Sequence, residues 1–519
     1  MTAAFGWRAL ALAPLTACLL AGCTMGPDFE RPNWTSPASW FAGPREKVPP
    51  APSLPVAEPI DPNWWTQFHD PQLSALEKRV AAENLDVQVA GMRLAESRAS
   101  FNAARAAEFP SLNANGSYTR QKASNIGVFG SNPAALGANG ASGSNAGGLS
   151  GRKLAAFDVF QNGIDASWEI DLWGAVKRSV EAAGASAEAA DEARRSVLLA
   201  TLAEVARDYI QLRGAQTQLQ IARDNVRIAR QSLDLTRQRA AGGVTTDLDV
   251  ANASAQLRTT AAQIPALEQR EAQLINALSL LVGQPPNALR VELQTAKPVP
   301  PVPPRVPVGL PSELARRRPD IRQAEAQLHA ATADIGVAMA SFYPSVKLSG
   351  SVGLQALQIG HAFDLNAREF AAGPGISIPL FEGGRLRATL ELRKAQQQEA
   401  AISYQKTVLQ AWHEVDNALT SYQAEQGRRN ELAEAVADSR KALGLAQSRY
   451  QQGVSDFLTV LDAQRSLLAT QLQLADSTTS VSANLVTLYK VLGGGWETDL
   501  PDEPLPKPDR IPLPSLLSH

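Results

Sequence analysis

The sequence predicts an α+β membrane protein built from two tandem repeats, each combining short strands with very long helices. Three observations carry that prediction: proline-free stretches, short segments of alternating polarity, and a self-match at a fixed offset. Of 34 prolines, 12 lie in residues 1–71, 10 in 285–319 and 6 in 493–519. None lies between Pro133 and Pro265 or between Pro379 and Pro501. Proline breaks helix interiors, so these gaps are where long helices fit. Both gaps are rich in Ala, Gln, Leu, Arg and Glu, which favour helix. Residues 176–240 and 386–450 read as single helices of about 65 residues, on the order of 100 Å at ~1.5 Å per residue. Globular helices average ~11–12 residues, so these do not belong to a compact enzyme core.

The alternating segments come in pairs. Gly163 to Leu172 sets Ile164, Ala166, Trp168 and Ile170 against Asp165, Ser167, Glu169 and Asp171. Residues 110–119, 345–354 and 375–380 show the same period of two, which is that of a strand. In a soluble sandwich the apolar face meets a core; in an outer-membrane barrel it meets lipid. Four strands cannot close a barrel, and lipid does not tolerate an open sheet edge. If these strands span a membrane, several chains share one barrel, and three chains supply twelve strands. The stretches 121–162 and 355–371 then read as loops.

An offset of 210 superimposes residues 204–283 on the second half. Arg239 meets Arg449, Gly243-Val244 meets Gly453-Val454, and Asp249 and Asn252 meet Thr459 and Asp462. Upstream the offset becomes 234, so the first half carries extra length, placed in the Gly/Ser/Asn/Ala-rich stretch 121–156. Two similar halves follow. The segments are 1–22, 23–70, a first repeat 71–284, a proline-rich linker 285–310, a second repeat 311–492 and a proline-rich tail 493–519.

Composition sets limits. Lys and Arg total 49 against 51 Asp and Glu, so nothing electrostatic calls for a nucleic-acid partner. Two cysteines exclude a disulfide framework, and the five histidines show no metal-ligand spacing. Met92 and Met339 stand apart, so there is no Met cluster for a soft metal. No apolar run is long enough for a transmembrane helix. Residues 1–22 read as a secretory signal, with Arg8 before an apolar stretch. It ends in Leu20-Ala21-Gly22-Cys23, which resembles a bacterial lipobox; the alternative is an ordinary signal with a chance cysteine. The lipobox implies cleavage before Cys23 and a covalent diacylglycerol and N-acyl lipid on that residue. Thr24 rather than Asp follows, which points to the outer membrane.

The chain resembles the TolC-like outer-membrane efflux lipoproteins, the NodT-type outer component of RND multidrug pumps, over nearly its whole length. The residues that carry the resemblance are Cys23 with Gly26 to Pro32; Trp64 with Phe68 to Leu73; Gly309 to Ile321; Phe342-Tyr343-Pro344; and Arg449 to Val454 continuing through Leu461 to Arg465. The resemblance implies a homotrimer in the outer membrane with a 12-stranded barrel, continued by a helical barrel in the periplasm. Helices 71–106 and 247–283 would match the first long helix end to end, and 311–341 with 456–492 the second. It implies a periplasmic tip at turns 242–245 and 453–455, contacted by a periplasmic adaptor and coupled to an inner-membrane RND transporter. The tip set is Gly243, Val244, Gly453, Val454, Arg239 and Arg449. Asp462 matches a gate aspartate and Arg465 its partner. Thr459 occupies the place of a second aspartate, and Asp249 and Asn252 are the first-repeat equivalents. Without the family, Asp462 reads as one more solvated charge, and Arg239 and Arg449 either pair across helices or cap the last turn. Trp168 and Trp173 read as girdle residues or packing aromatics. No nucleotide loop, catalytic triad, cofactor or metal site is expected. The competing readings are a periplasmic adaptor, a protein-secretion duct and an enzyme.

Overall fold

A computed structural model describes residues 24–32, 40, 53–122 and 156–497. The signal, Cys23, residues 123–155 and the tail from 498 lie outside the described residues. In chain order the main elements are β1 (Leu54–Val56), α1 (Pro71–Glu83), α2 (Leu85–Arg105), β2 (Ser111–Gln121) and β3 (Phe157–Ile170). There follow α3 (Ala175–Ala241), α4 (Asp247–Ala261), α5 (Gln263–Leu281), β4 (Arg305–Pro307) and α6 (Pro319–Ala340). The chain continues with β5 (Ser345–Ala356), β6 (Arg368–Ser377), α7 (Arg385–Gln451) and α8 (Phe457–Val491). The two 67-residue helices α3 and α7 each exceed the predicted span by a residue at either end. Among the described residues no helix is long and apolar enough to cross a membrane.

Two compact units divide these residues. The first takes the described parts of Met1–Phe29, Ala99–Gly184 and Ala330–Gln397. It holds an antiparallel sheet in the order β2-β3-β5-β6. The register aligns side chains into rows: Ala114, Ile164, Val352 and Phe370 form one, and Leu112, Ala166, Gly350 and Ala372 the next. The opposite face carries Asn113, Asp165 and Ser351 in one row and Glu169 and Lys347 in another. It is laced by side-chain bonds: Asn115 and Asn113 donate to Asp165, Gln161 to Glu369 at 3.2 Å, and Lys347 pairs with Glu169 at 3.5 Å. Among the described residues, edge strands β2 and β6 each lack an outer neighbour. Trp173 stacks on Tyr343 at 4.7 Å and donates its indole N–H to the Pro344 carbonyl.

Two expectations about the strands change. The fourth strand is 368–377 rather than 375–380, because Arg368 to Ser377 pairs in register with Leu354 to Ser345. Ile378 and Leu380 continue the alternation past the end of pairing. Strand β3 likewise starts at Phe157, inside the expected loop 121–162, and β6 begins inside the expected loop 355–371.

The second unit takes the described parts of Glu30–Arg98, Ala185–His329 and Gln398–His519. Its larger core gathers Trp64, Phe68, Leu73, Leu202, Tyr209, Leu289, Val306, Tyr422 and Tyr489, where β1 pairs parallel with β4. Here the proline-rich segments are pinned to helices. The Ser53 hydroxyl accepts from Tyr422, its N–H donates to Gln426, and Ser482 donates to the Pro300 carbonyl. The expected helix 71–106 breaks at Asn84, whose backbone is extended. Asn84 caps α2 through bonds from the amides of Asp86 and Val87 and donates to Leu281 O of α5 at 2.8 Å. Arg318, its equivalent in the second repeat, reaches Val491 O of α8 at 3.0 Å. The expected 247–283 helix also breaks, at Ala262 three residues before Pro265. The expected 311–341 helix is interrupted at Arg318, whose backbone is extended ahead of Pro319.

Candidate functional site

The gate and tip candidates read from the sequence lie at one end of the second unit, where α3 turns into α4 and α7 into α8. Both turns are built alike. Gly243 and Gly453 have φ of +72° and +78°. Gly243 N–H donates to Ala240 O and Val244 N–H to Arg239 O; Gly453 and Val454 repeat this with Tyr450 and Arg449. This is a Schellman turn, which needs a left-handed residue after the helix. A side chain at Gly243 would meet nothing within 4 Å, so backbone conformation, not space, selects glycine there.

The next helices start with side-chain caps, reciprocal in the first. Thr246 caps α4, and the N3 residue Asp249 accepts bonds from Thr245 and Thr246. Asp456 caps α8, accepting from the Thr459 amide at 3.1 Å and its hydroxyl at 2.6 Å. Those two bonds hold the Asp456 carboxyl below the usual carboxylate range. Acid and hydroxyl have exchanged places between repeats. Asp249 is therefore engaged as a capping-box carboxylate, whereas Thr459 only donates to the Asp456 cap.

A small core lies beneath the turns, formed by Leu233, Ala253, Leu443, Tyr450, Phe457, Val460 and Leu461. Arg239 crosses it. The guanidinium donates to Tyr450 O at 2.7 Å and Gln451 O at 3.1 Å and lies 4.6 Å over the Tyr450 ring. It thus both reaches across helices and caps the last turn of α7, joining the two readings kept open above. Arg449, the equivalent residue, is exposed, and no partner engages its side chain among the described residues.

Asp462 and Arg465 point away from the small core and are exposed. Arg465 donates to Gln256 of α4 at 2.9 Å rather than pairing with Asp462. No partner engages Asp462 among the described residues. Asn252, its first-repeat equivalent, is half-buried. Four apolar side chains stand open at the turns: Val244 at 65%, Leu248 at 68%, Val454 at 63% and Leu458 at 53% exposure. The site set drawn from the sequence leaves out Leu248 and Leu458, although each is the second residue of its helix and they are equivalent in the two repeats. Among the described residues no cluster of His, Cys, Asp or Glu could hold a metal ion.

Comparison with known proteins gives the geometry its context. The family described as outer membrane efflux protein matches residues 76–284 and 310–494. The toluene efflux pump outer membrane protein TtgC of Pseudomonas putida is 32% identical over 485 residues, covering 93% of this chain and 94% of its own. The cation efflux system protein CusC of Escherichia coli is 30% identical over 484 residues, covering 93% and 97%. The solved outer-membrane channel OprN superimposes with a TM-score of 0.81 at 34% identity, over 92% of this chain and 100% of that one. The matches span both repeats and nearly the whole length, and the chain belongs to the outer membrane efflux protein family.

Proposed function

We propose that three copies of this chain form one channel through the outer membrane, the passive exit duct of a tripartite pump that expels small molecules. The four-stranded sheet carries this reading. It presents apolar rows on one face, and among the described residues its two edges are unpaired. An unpaired backbone group in lipid costs several kcal/mol, so such a sheet must close. The smallest membrane barrels have about eight strands. Three chains supply twelve, with β6 of one copy meeting β2 of the next, and the polar rows then line water.

The helical hairpins project into the periplasm. Their turns, with Gly243, Val244, Gly453 and Val454 at the apex, receive the hairpins of a periplasmic adaptor. An inner-membrane RND transporter supplies the energy, and the chain itself performs no chemistry. Cys23 carries the diacylglycerol and N-acyl lipid that anchor it. Three unpartnered Asp462 carboxylates around the axis attract cations and repel one another. Arg239 ties the two hairpins of each copy together and holds the resting state narrow.

Single-channel conductance of the acylated protein in planar bilayers tests this. The expected result is a small, cation-preferring conductance that rises and loses its preference in Asp462→Ala. Unchanged currents would remove Asp462 from the gate and leave the duct. No current from wild type, Asp462→Ala or Arg239→Ala, with insertion verified, would overturn the duct itself.

A further inference from the structure

The segment after Cys23 is seated in the first unit with almost no room to spare. Thr24 packs on Gly174, where an added Cβ would lie 2.8 Å from the Thr24 side chain. Met25 N–H donates to Trp173 O at 3.0 Å. Gly26 lies against Gly336 of α6, and a Cβ on Gly26 would stand 2.5 Å from the Gly336 Cα. Arg178 holds the segment from the other side. Its side chain is 5% exposed and reaches Asp28 at 2.5 Å, Met25 O at 3.3 Å and Glu181 at 2.7 Å. Gly336 sits inside a helix, where glycine is less favourable than alanine, so its presence there needs a reason. The reason is close approach: a Cβ at Gly336 would stand 2.7 Å from Met25 O and 2.7 Å from Arg178 Cγ.

The seat lies at the strand-to-helix connection 171–174, beside the stacked Trp173 and Tyr343. Aromatic residues at the ends of barrel strands mark the membrane–water interface. Cys23 is bonded directly to Thr24, and one residue spans at most ~3.8 Å. A lipid on Cys23 is therefore tethered at that interface without slack.

We propose that Gly174, Gly336 and Arg178 form a docking seat for residues 24–28, and that this seat sets the depth at which the acyl chains of Cys23 enter the inner leaflet of the outer membrane. The lipid works as a depth gauge for the base of the barrel rather than as a loose leash. The proposal rests on the lipobox reading and adds to it the residues that turn an anchor into a fixed point.

The test uses full-length protein purified from membranes as wild type, Gly336→Ala, Arg178→Ala and an insertion of six Gly/Ser residues between Cys23 and Thr24. Mass spectrometry reads acylation of Cys23, amide exchange reads protection of residues 24–32, and brominated lipids read the depth of the interface tryptophans. The Gly336→Ala helix should be at least as stable as the parent helix, so lost protection there reports the seat and not unfolding. The expected result is full acylation in all four, at least tenfold faster exchange at Met25 in both substitutions, and altered quenching in all three variants. The insertion, which leaves the seat intact, should change quenching with Met25 still protected. Wild-type protection in both substitutions would overturn the seat. Lost protection with unchanged quenching in every variant would overturn its role in depth. An unacylated Cys23 in wild type would sink the lipid reading and this proposal with it, a result that exchange data cannot mimic.

Discussion

Arg239 makes its contacts through a guanidinium that reaches two main-chain carbonyls and one ring face. Bonds from a charged donor contribute about 1.5–3 kcal/mol each, and less for the exposed one to Gln451. Arg239→Ala should therefore loosen the α7–α8 turn, and amide exchange over residues 450–457 should quicken while the large core is unaffected. Arg449→Ala, at the equivalent but unpartnered position, should change neither. The turn glycines give a second expectation. An L-residue in the left-handed region costs about 1–2 kcal/mol. Gly243→Ala and Gly453→Ala should each lower stability by that amount in denaturant unfolding. Asparagine, which tolerates the conformation better, should lower it less. Asp208 on α3 supplies a pH dependence. Burial, with the neighbouring Glu204 carboxylate, raises its pKa to about 6, against the lowering effect of Arg207. The native state then binds a proton that the unfolded chain releases near ~3.9. This stability is fully present below that value and is lost as pH rises through about 6. Asp208→Asn, which mimics the protonated form, should match wild type at pH 4 and exceed it in thermal stability at pH 7.

At the scale of the element, the sheet makes the sharpest prediction. Val352 belongs to an apolar row and Ser351 to the polar face. An arginine on a lipid-facing barrel position costs about 2–4 kcal/mol at mid-depth. Val352→Arg should block folding into vesicles, while Ser351→Arg should insert normally. The reverse order would mean that the face carrying Ser351, not the apolar face, meets lipid. Legibility also differed by element. The long helices and both glycine turns could be read directly, because proline-free composition and a left-handed C-terminal residue are local requirements. Strand β6 was misplaced because the alternation of Ile376, Ile378 and Leu380 draws the strand toward 375–380, whereas pairing runs from Arg368 and ends at Ser377, through a proline that an edge strand tolerates. The break at Asn84 was missed because an asparagine inside a helical pattern does not by itself mark a cap; here its side chain accepts from Asp86 and Val87 while donating to the distant Leu281 carbonyl.

At the scale of the whole molecule, the offset of 210 predicts equivalence, and the structure shows equivalence of task more than of residue. Thr246 with Asp249 and Asp456 with Thr459 perform one capping job with the partners reversed. Asn84 and Arg318 perform one junction job with different chemistry. The site was legible to the extent that it repeats. The single Arg239 bridge was not, because Arg239 and Arg449 look identical in sequence and differ only in what stands opposite each.

The pairing of β3 with β5 has a consequence in time. Ile164 lies opposite Val352, so the sheet cannot form until most of the chain has crossed into the periplasm. During that interval the first hairpin carries an apolar face with nothing against it, and contacts so distant along the chain form slowly. Biogenesis thus contains an obligatory waiting period in which the half-exported chain is most exposed to aggregation and proteolysis. Slowing translocation between the two hairpins should deplete the mature protein more than slowing it after β6, which pulse-chase recovery at reduced export rate would measure.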